Sequence, residues 1–282
     1  MSFDTKKSLF QGASSPVLRA RSILHQYGIR LPQEIDVEAI ASLRGAFVRE
    51  EVLDGCDGRL IKKGSYGIIS VRRSTLETGR KRFTIGHELG HFELHDGSSD
   101  LIICSEKDVD QWASQGSNSE LEANLFAVEL LMPQEMFKPR CEKSSPSLEV
   151  IQDLATDFRT SLTATAFRYV TFSPFRCAIV ISRNDRIESV KWTEDFGYVI
   201  ERKRKLDSDS IAADFFAGKT LPADSFSVPA GAWIDSEKIG PAAKLREESR
   251  GFKNYGFVLT LLWLDDDFER DEGGGDDESI DF

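Results

Sequence analysis

Residues 82–95 read RFTIGHELGHFELH, and the organisation of the chain follows from this stretch. Within it, His87, Glu88 and His91 form the pattern His-Glu-x-x-His. Side chains four residues apart lie on the same face of an α-helix, about one turn apart, so both imidazoles can point at one metal ion. Glu88 lies beside that face, within reach of a water on the metal. This spacing is typical of the helix of a zinc peptidase, with two ligands and one general base.

The alternative for this stretch is an ordinary amphipathic helix with histidines on its surface. Apolar side chains argue against it, because they lie opposite the histidines and on both flanks: Phe83, Ile85, Leu89, Phe92 and Leu94. A helix that is apolar on nearly every side is buried, and buried histidines need polar partners. The surroundings therefore favour a metal-binding helix.

A catalytic zinc site also needs a third protein ligand and one open position. His95 continues the same helix and would reach the metal only if the helix broke near Phe92. Glu120 and Glu122 are the better candidates, because they lie in a second predicted helix that Pro133 ends.

Helical spacing distinguishes the two glutamates. Glu120, Asn124 and Ala127 share one stripe of the second helix, and small residues there let another helix approach closely. Glu122 shares its side with Glu129, which has the pattern of a solvated side. We therefore predict Glu120 as the third ligand, with Asn124 bracing either Glu120 or a ligating histidine from behind. A plain helix-packing amide is the alternative for Asn124.

These segments together resemble the ImmA/IrrE family of metallopeptidases. The resemblance rests on HELGHFELH at 87–95, ELEANLFA at 120–127 and LLMP at 130–133, with upstream support from RFT at 82–84, GIRLP at 28–32 and DVEAIA at 36–41. It covers about residues 15–170. The family is similar to thermolysin-like peptidases, whose third ligand is a glutamate on a following helix. The resemblance further implies a substrate, a helix-turn-helix (XRE-like) repressor whose cleavage releases its genes.

The expected chemistry is peptide hydrolysis with Zn²⁺ as the cofactor, although Mn²⁺ or Fe²⁺ can use the same ligands. Glu88 would take a proton from the attacking water and pass it to the leaving amine. A second donor to the oxyanion is also expected. Tyr66 is a candidate for that donor, and a core tyrosine is the alternative.

Composition sets the class of protein. The chain has 282 residues, of which 40% are hydrophobic and 29% charged, which suggests two domains with ample core. It has no run near the ~20 apolar residues that span a membrane, and we expect no secretory signal, because no apolar run follows its first basic residues. Its cysteines are scattered without a Cys-x-x-Cys pattern, at Cys56, Cys104, Cys141 and Cys177. A reduced, cytoplasmic compartment is the simplest expectation.

We predict an α+β fold in four parts: residues 1–145, 146–172, 173–264 and 265–282. The first is a zincin-like metallopeptidase domain, and the second is a helix-turn-helix-like segment. The third is a β-rich, mixed α/β domain, which the resemblance to a family member of similar length suggests is GAF-like. The fourth is an acidic, disordered tail that holds most of the net charge of −11.

The first domain contains further features with two interpretations. Three strand-like runs, 46–51, 58–62 and 66–72, predict an antiparallel meander. Within it, residues 67–71 are either the sheet edge that pairs with an extended substrate or a core strand. A polar connection at 96–118 has the length of an active-site lid. Five basic residues before the active helix form either a solvated surface or a patch that steers acidic substrate: Arg72, Arg73, Arg80, Lys81 and Arg82.

Two other classes of function stay open. The chain could be a DNA-binding regulator that uses two predicted helices within residues 148–170. The second of these helices carries few basic residues, only Arg168 with Arg159 nearby, so direct DNA binding is not expected and an αα-hairpin is favoured. The chain could also be a non-catalytic, repressor-binding protein with a vestigial site, but the intact set of metal ligands and base argues against a vestige.

Overall fold

A computed structural model describes residues 15–75, 77–95, 101–105, 118–234, 239–240, 242–265 and 268, with only the backbone of 101–105 described. Within these residues the fold is α+β, as predicted, with eight α-helices and two β-sheets. The predicted acidic tail at 265–282 and the predicted lid at 96–118 lie largely outside the described residues.

The described chain divides into two compact units. Unit 1 comprises the residues up to Phe137 together with Leu154–Ser161, and unit 2 comprises Lys138–Asp153 and the residues from Leu162 onward. The four-part division inferred from the sequence stays a prediction. Among the described helices, none combines the length and the apolar composition needed to span a lipid bilayer.

Seven of the eight described helices lie before residue 173, and the eighth lies in the second unit. In chain order they are α1 (Pro16–Gln26), α2 (Val37–Leu43), α3 (Thr78–Leu94), α4 (Asn118–Leu131), α5 (Gln134–Cys141), α6 (Leu148–Phe158), α7 (Leu162–Phe172) and α8 (Ile211–Phe216). Proline at the first position starts α1, and Gly28, with φ +67°, follows its end. The Asp36 side chain accepts the backbone N–H of Ala39 and caps α2.

The strands are β1 (Ala46–Glu51), β2 (Cys56–Lys63), β3 (Tyr66–Arg72), β4 (Leu101–Ser105), β5 (Cys177–Arg183), β6 (Arg186–Trp192), β7 (Phe226–Pro229), β8 (Lys244–Phe252) and β9 (Phe257–Trp263). The first sheet, in unit 1, has the order β1-β3-β2-β4. Helix α3 packs against α4 and against strands β2 and β3 of this sheet. The helix with the two histidines is therefore enclosed between a sheet and a second helix.

The predicted meander is wrong in one respect. Strands β2 and β3 form the expected antiparallel hairpin, but β1 pairs with β3, and it does so in parallel. Strand β3 is thus an interior strand, and the edges among the described strands are β1 and β4. Strand β3 is buried on both faces, because the consecutive residues Ile69, Ser70 and Val71 are all buried, and burial on both faces is typical of an interior strand. The edge role considered for residues 67–71 is therefore also wrong.

The second sheet, in unit 2, is antiparallel and has the order β6-β5-β9-β8-β7. Its apolar core includes Trp233, which is fully buried and donates its indole N–H to Glu247 at 2.7 Å. Glu247 also accepts hydrogen bonds from the Ser249 hydroxyl and from the backbone N–H groups of Ile211 and Ala212. A carboxyl group buried in this core therefore has four donors, which link α8 to β8.

Candidate metal centre

Helix α3 holds its histidines in a fully enclosed position. Every residue from Arg82 to Phe92 is buried, as the apolar pattern of this stretch indicates. The helix approaches α4 very closely, because Gly90 faces it: a Cβ on Gly90 would lie only 3.0 Å from the Cα and carbonyl oxygen of Ala123. This close packing brings the first turn of α4, with Glu120, up to the histidines.

The side chains of His87, His91 and Glu120 converge on one point. The His87 Nε2 atom lies 3.1 Å from Oε2 of Glu120, and the His91 Nε2 atom lies 3.3 Å from Oε1. The two Nε2 atoms are 3.1 Å apart. All three donor atoms lie within 4.8 Å of one another, so one ion can contact them together.

The hydrogen-bonding partners test whether a metal ion suits this cluster. The Nδ1 atom of His87 lies 2.8 Å from Oδ1 of Asn124, so Nδ1–H donates and the neutral ring has a lone pair on Nε2. That lone pair faces the Glu120 carboxylate and the ring nitrogen of His91, which repel it unless a proton or a metal ion lies between them. Two imidazole nitrogens and one carboxylate oxygen are a ligand set that Zn²⁺ takes in catalytic sites. The donor set therefore fits a metal ion.

The pKa shifts of the three side chains follow from their burial and from their charges on one another. Hydrogen bonds with His87 and His91 hold the pKa of Glu120 well below its ordinary value. Burial opposes protonation of His87, but Glu120 and Glu88 outweigh it and raise the pKa of that ring. The pKa of His91 is lowered, mainly by burial and also by the neighbouring His87. The lowered pKa values keep the His91 ring neutral and the Glu120 carboxylate ionised. These are the forms in which both residues bind a metal ion.

Comparison with known proteins assigns the domain that contains this cluster. Residues 47–169 match the family model of the IrrE N-terminal-like domain, Peptidase_M78. These residues belong to the Peptidase_M78 family. The resemblance to the ImmA/IrrE metallopeptidases, which the sequence motifs suggested, is confirmed by this match.

A solved structure described as a Mycobacterium tuberculosis transcriptional regulator has a similar fold. The TM-score is 0.54 with 16% sequence identity, over 88% of this chain and 76% of that chain. At this identity the likeness concerns the fold alone. Among curated proteins, none matches the chain.

In the M78 domain, the Glu88 side chain lies against the sheet. Its side chain is fully buried, and a Cβ on Gly58 of β2 would fall 2.5 Å from its Oε1 atom. The absent side chain at Gly58 thus leaves the space that the carboxylate occupies. Glu88 also raises the pKa of His87 electrostatically, which places its charge close to the cluster.

The remaining site candidates have other positions. Asn124 contacts His87, and a ligating histidine was one of the two partners predicted for it. His95 lies outside the cluster of three donors. His95 follows the end of α3, and its Nδ1 atom lies 3.1 Å from Nδ1 of His91. Glu122 contacts His95 instead of the donor cluster, with Oε2 at 3.0 Å from Nε2. This pair was not predicted, although the spacing of four residues from His91 to His95 indicates neighbouring rings.

The solvated side inferred for α4 is wrong at Glu129. Its side chain is 2% exposed and forms a salt bridge of 2.7 Å with Arg21 of α1. A helix that packs on both α1 and α3 has little solvated surface, so its acidic residues need partners from other helices. The core alternative for Tyr66 is also wrong, because this residue is 66% exposed at the start of β3. Its role as an oxyanion donor stays a prediction.

The basic cluster, whose last three members lie in the first turns of α3, is largely neutralised within the fold. Arg80 forms a salt bridge of 2.7 Å with Asp57, and Lys81 forms one of 2.6 Å with Glu50. Arg82 is buried and donates to the backbone carbonyl of Ile35. These contacts favour a structural role for the cluster over the steering of an acidic substrate.

Proposed function

We propose that this chain is a zinc-dependent endopeptidase. The observation that carries the proposal is the convergence of His87, His91 and Glu120 within 4.8 Å inside an M78 domain. Glu88 follows His87 directly, and its buried carboxylate is the base of the proposed reaction. A non-catalytic, repressor-binding protein is the alternative, and it requires no base at this position.

The residues of the proposed site have separate tasks in the reaction. The chemistry that a bound zinc ion supplies is Lewis-acid activation of water and of the scissile carbonyl. Glu88 accepts the proton of the attacking water and transfers it to the leaving amine. Asn124 holds the Nδ1–H of His87, so that Nε2 keeps its lone pair directed into the site. The burial of Glu88 excludes bulk water, which strengthens its electrostatic interactions there.

We further propose that the substrate backbone pairs with strand β4. The register places Gly58 of β2 opposite Cys104 of β4, and Gly58 is also the residue that contacts Glu88. Within the described part of the chain, β4 is the outer strand on this side of the sheet. A peptide added to its outer edge would run extended about 10 Å, or two strand spacings, from Gly58, as in other cases of strand addition.

The proposed substrate is a helix-turn-helix, XRE-like repressor. The family resemblance supports it, and the description of the similar solved structure as a transcriptional regulator is compatible with a role in gene control. We also keep the proposals that the second unit is GAF-like and that α6 and α7 form a helix-turn-helix-like pair. Direct DNA binding by this pair is not favoured, because Arg159 donates to backbone carbonyls of Gln33 and Ile35.

The deciding experiment compares Glu88→Gln with the unaltered protein. Both are incubated with zinc and with the product of any neighbouring gene that encodes a helix-turn-helix repressor, and fragments are identified by mass spectrometry. We expect equal zinc content and loss of cleavage in Glu88→Gln, whereas the control Glu149→Gln, at an exposed position of α6, cleaves normally. Retained cleavage by Glu88→Gln would remove Glu88 as the base. A stable complex with no fragment from the unaltered protein would favour the non-catalytic alternative.

A further inference from the structure

A chain of polar contacts leads from His91 outwards through His95 to Glu122. We propose that His95 and Glu122 form a positioning pair, which fixes the tautomer and the orientation of His91 for metal binding. The proposal rests on the metal site proposed above and extends it to two residues outside the donor cluster. The rings of His91 and His95 have centroids 5.1 Å apart, and the side chains of His95 and Glu122 are 22% and 33% exposed.

The direction of the hydrogen bonds follows from the chemistry of the three groups. An ionised carboxylate only accepts, so Nε2 of His95, at 3.0 Å from Glu122, is the atom that carries hydrogen. When Nε2 carries the single hydrogen of the His95 ring, its Nδ1 atom is an acceptor. Because this atom lies 3.1 Å from Nδ1 of His91, it is His91 that donates. The lone pair of His91 is consequently on Nε2, the atom that faces His87 and Glu120.

The position of His95 is itself held by the backbone around it. The residue follows the last turn of α3 in an extended conformation, with φ −113° and ψ 111°. Lys62 of β2 donates to the carbonyl oxygens of both Phe92 and His95, at 2.8 and 2.9 Å. A cation at this end of the helix is favourable for the exposed carbonyls. The end of α3 is thereby anchored to the sheet, and the His95 ring is presented to His91.

The two proposed metal-binding rings thus have separate partners from the same helix. Asn124 of α4 accepts directly from His87, whereas Glu122 of α4 acts on His91 through an intervening imidazole. Partners that orient a ligating histidine typically change metal affinity by about 10- to 100-fold when they are removed. The pair is therefore expected to affect zinc affinity without contacting the ion.

The test measures zinc affinity by competition with a chromophoric chelator. We expect His95→Phe to bind zinc about 10-fold or more weakly, because no acceptor remains for His91 Nδ1–H. His95→Asn keeps an oxygen near the position of Nδ1 and should retain most of the affinity. His25→Asn, on the exposed side of α1, is the matched control and should bind as the unaltered protein does. A shift in the visible absorption of the Co²⁺-loaded protein should accompany the loss in His95→Phe.

A double-mutant cycle separates positioning from a general effect of charge. Glu122→Ala should weaken zinc binding in the unaltered background, but not in the His95→Asn background, because its effect passes through the His95 ring. An equal loss in both backgrounds, or a folded His95→Phe that binds zinc normally, would overturn the proposal. If His95→Phe does not fold, the Glu122→Ala cycle decides. If the unaltered protein binds no zinc, the metal site itself fails, and the positioning pair fails with it.

Discussion

Gly58 of β2 lies directly against Glu88 of α3: a Cβ on Gly58 would fall 2.5 Å from Oε1 and 3.2 Å from Cδ of that carboxylate. The same Cβ would lie 2.5 Å from Cγ2 of Thr84. The sheet and the helix therefore meet at the proposed base, with no side chain between them. The position of the Glu88 carboxylate depends on a residue that precedes it by 30 positions and has no functional group.

We expect Gly58→Ala to reduce peptidase activity while zinc affinity stays near that of the unaltered protein. The Oε1 atom is the far end of a flexible side chain, so Glu88 turns away, whereas the clash with the buried Thr84 methyl group costs about 1–3 kcal/mol in the free energy of unfolding. A misplaced general base loses a contribution of about 10²- to 10⁴-fold in rate. The measurement is kcat on the cleaved repressor, together with zinc titration. Gly231→Ala, where a Cβ meets nothing within 4 Å, is the control, and an unchanged rate in Gly58→Ala would contradict the expectation.

The contact between α3 and α4 gives a second prediction, with a control on the same helix. A Cβ on Gly90 would lie 3.0 Å from backbone atoms of Ala123, which cannot turn away, whereas a Cβ on Gly86 would lie 3.4 Å from the Cβ of Ala127. Gly90→Ala should separate the helices, with a loss of about 1–3 kcal/mol in the free energy of unfolding and weaker zinc binding through Glu120. Gly86→Ala should be near neutral, or stabilised by up to about 1 kcal/mol. Urea denaturation and chelator competition measure both, and equal behaviour of the two variants would be inconsistent with this packing.

The buried carboxylate of Glu93 gives a third prediction. Its side chain is 2% exposed and forms salt bridges with Arg19 at 2.6 Å and Arg44 at 2.7 Å. Glu93→Ala leaves two arginines without their acceptor, and we expect a loss of about 3 kcal/mol in the free energy of unfolding. Glu50→Ala is the control, because Glu50 is 47% exposed and pairs with Lys81 at 2.6 Å. Exposed pairs contribute at most about 1 kcal/mol, so similar losses in the two variants by urea denaturation would count against the role of burial.

The fourth prediction concerns pH and Lys191 of β6. Burial, with repulsion from Arg168, lowers the pKa of Lys191 to about 8 from an ordinary value of 10.5. Between these two values the unfolded chain holds a proton that the folded chain has released, so this residue makes stability rise with pH. The stability of Lys191→Met relative to the unaltered protein should therefore be greater near pH 7 than at pH 10. Thermal unfolding from pH 7 to 10 measures this, with the exposed Lys253→Met as control, and a pH-independent difference would refute it.

Local properties of the chain were predictable. The spacing of His87 and His91 indicated neighbouring rings on one buried helix, and the predicted helices at 148–158 and 162–170 are close to the observed α6 and α7. The motif order also indicated the family that the match over residues 47–169 confirms. Helical period and capping act within a few residues, so a single sequence is enough to recognise them.

Contacts between distant residues required the tertiary structure. The parallel pairing of β1 with β3 was missed, because β2 lies between them in the chain and no local pattern specifies which strands become neighbours. The partners of Glu93 and Glu129 were also missed, since each lies on a different helix, up to 108 residues away. The same holds for Glu122, which reaches His91 only through His95. Helix formation depends on neighbouring residues along the chain, but the pairing of buried charges and strands depends on how separate elements pack, and no local pattern encodes that packing.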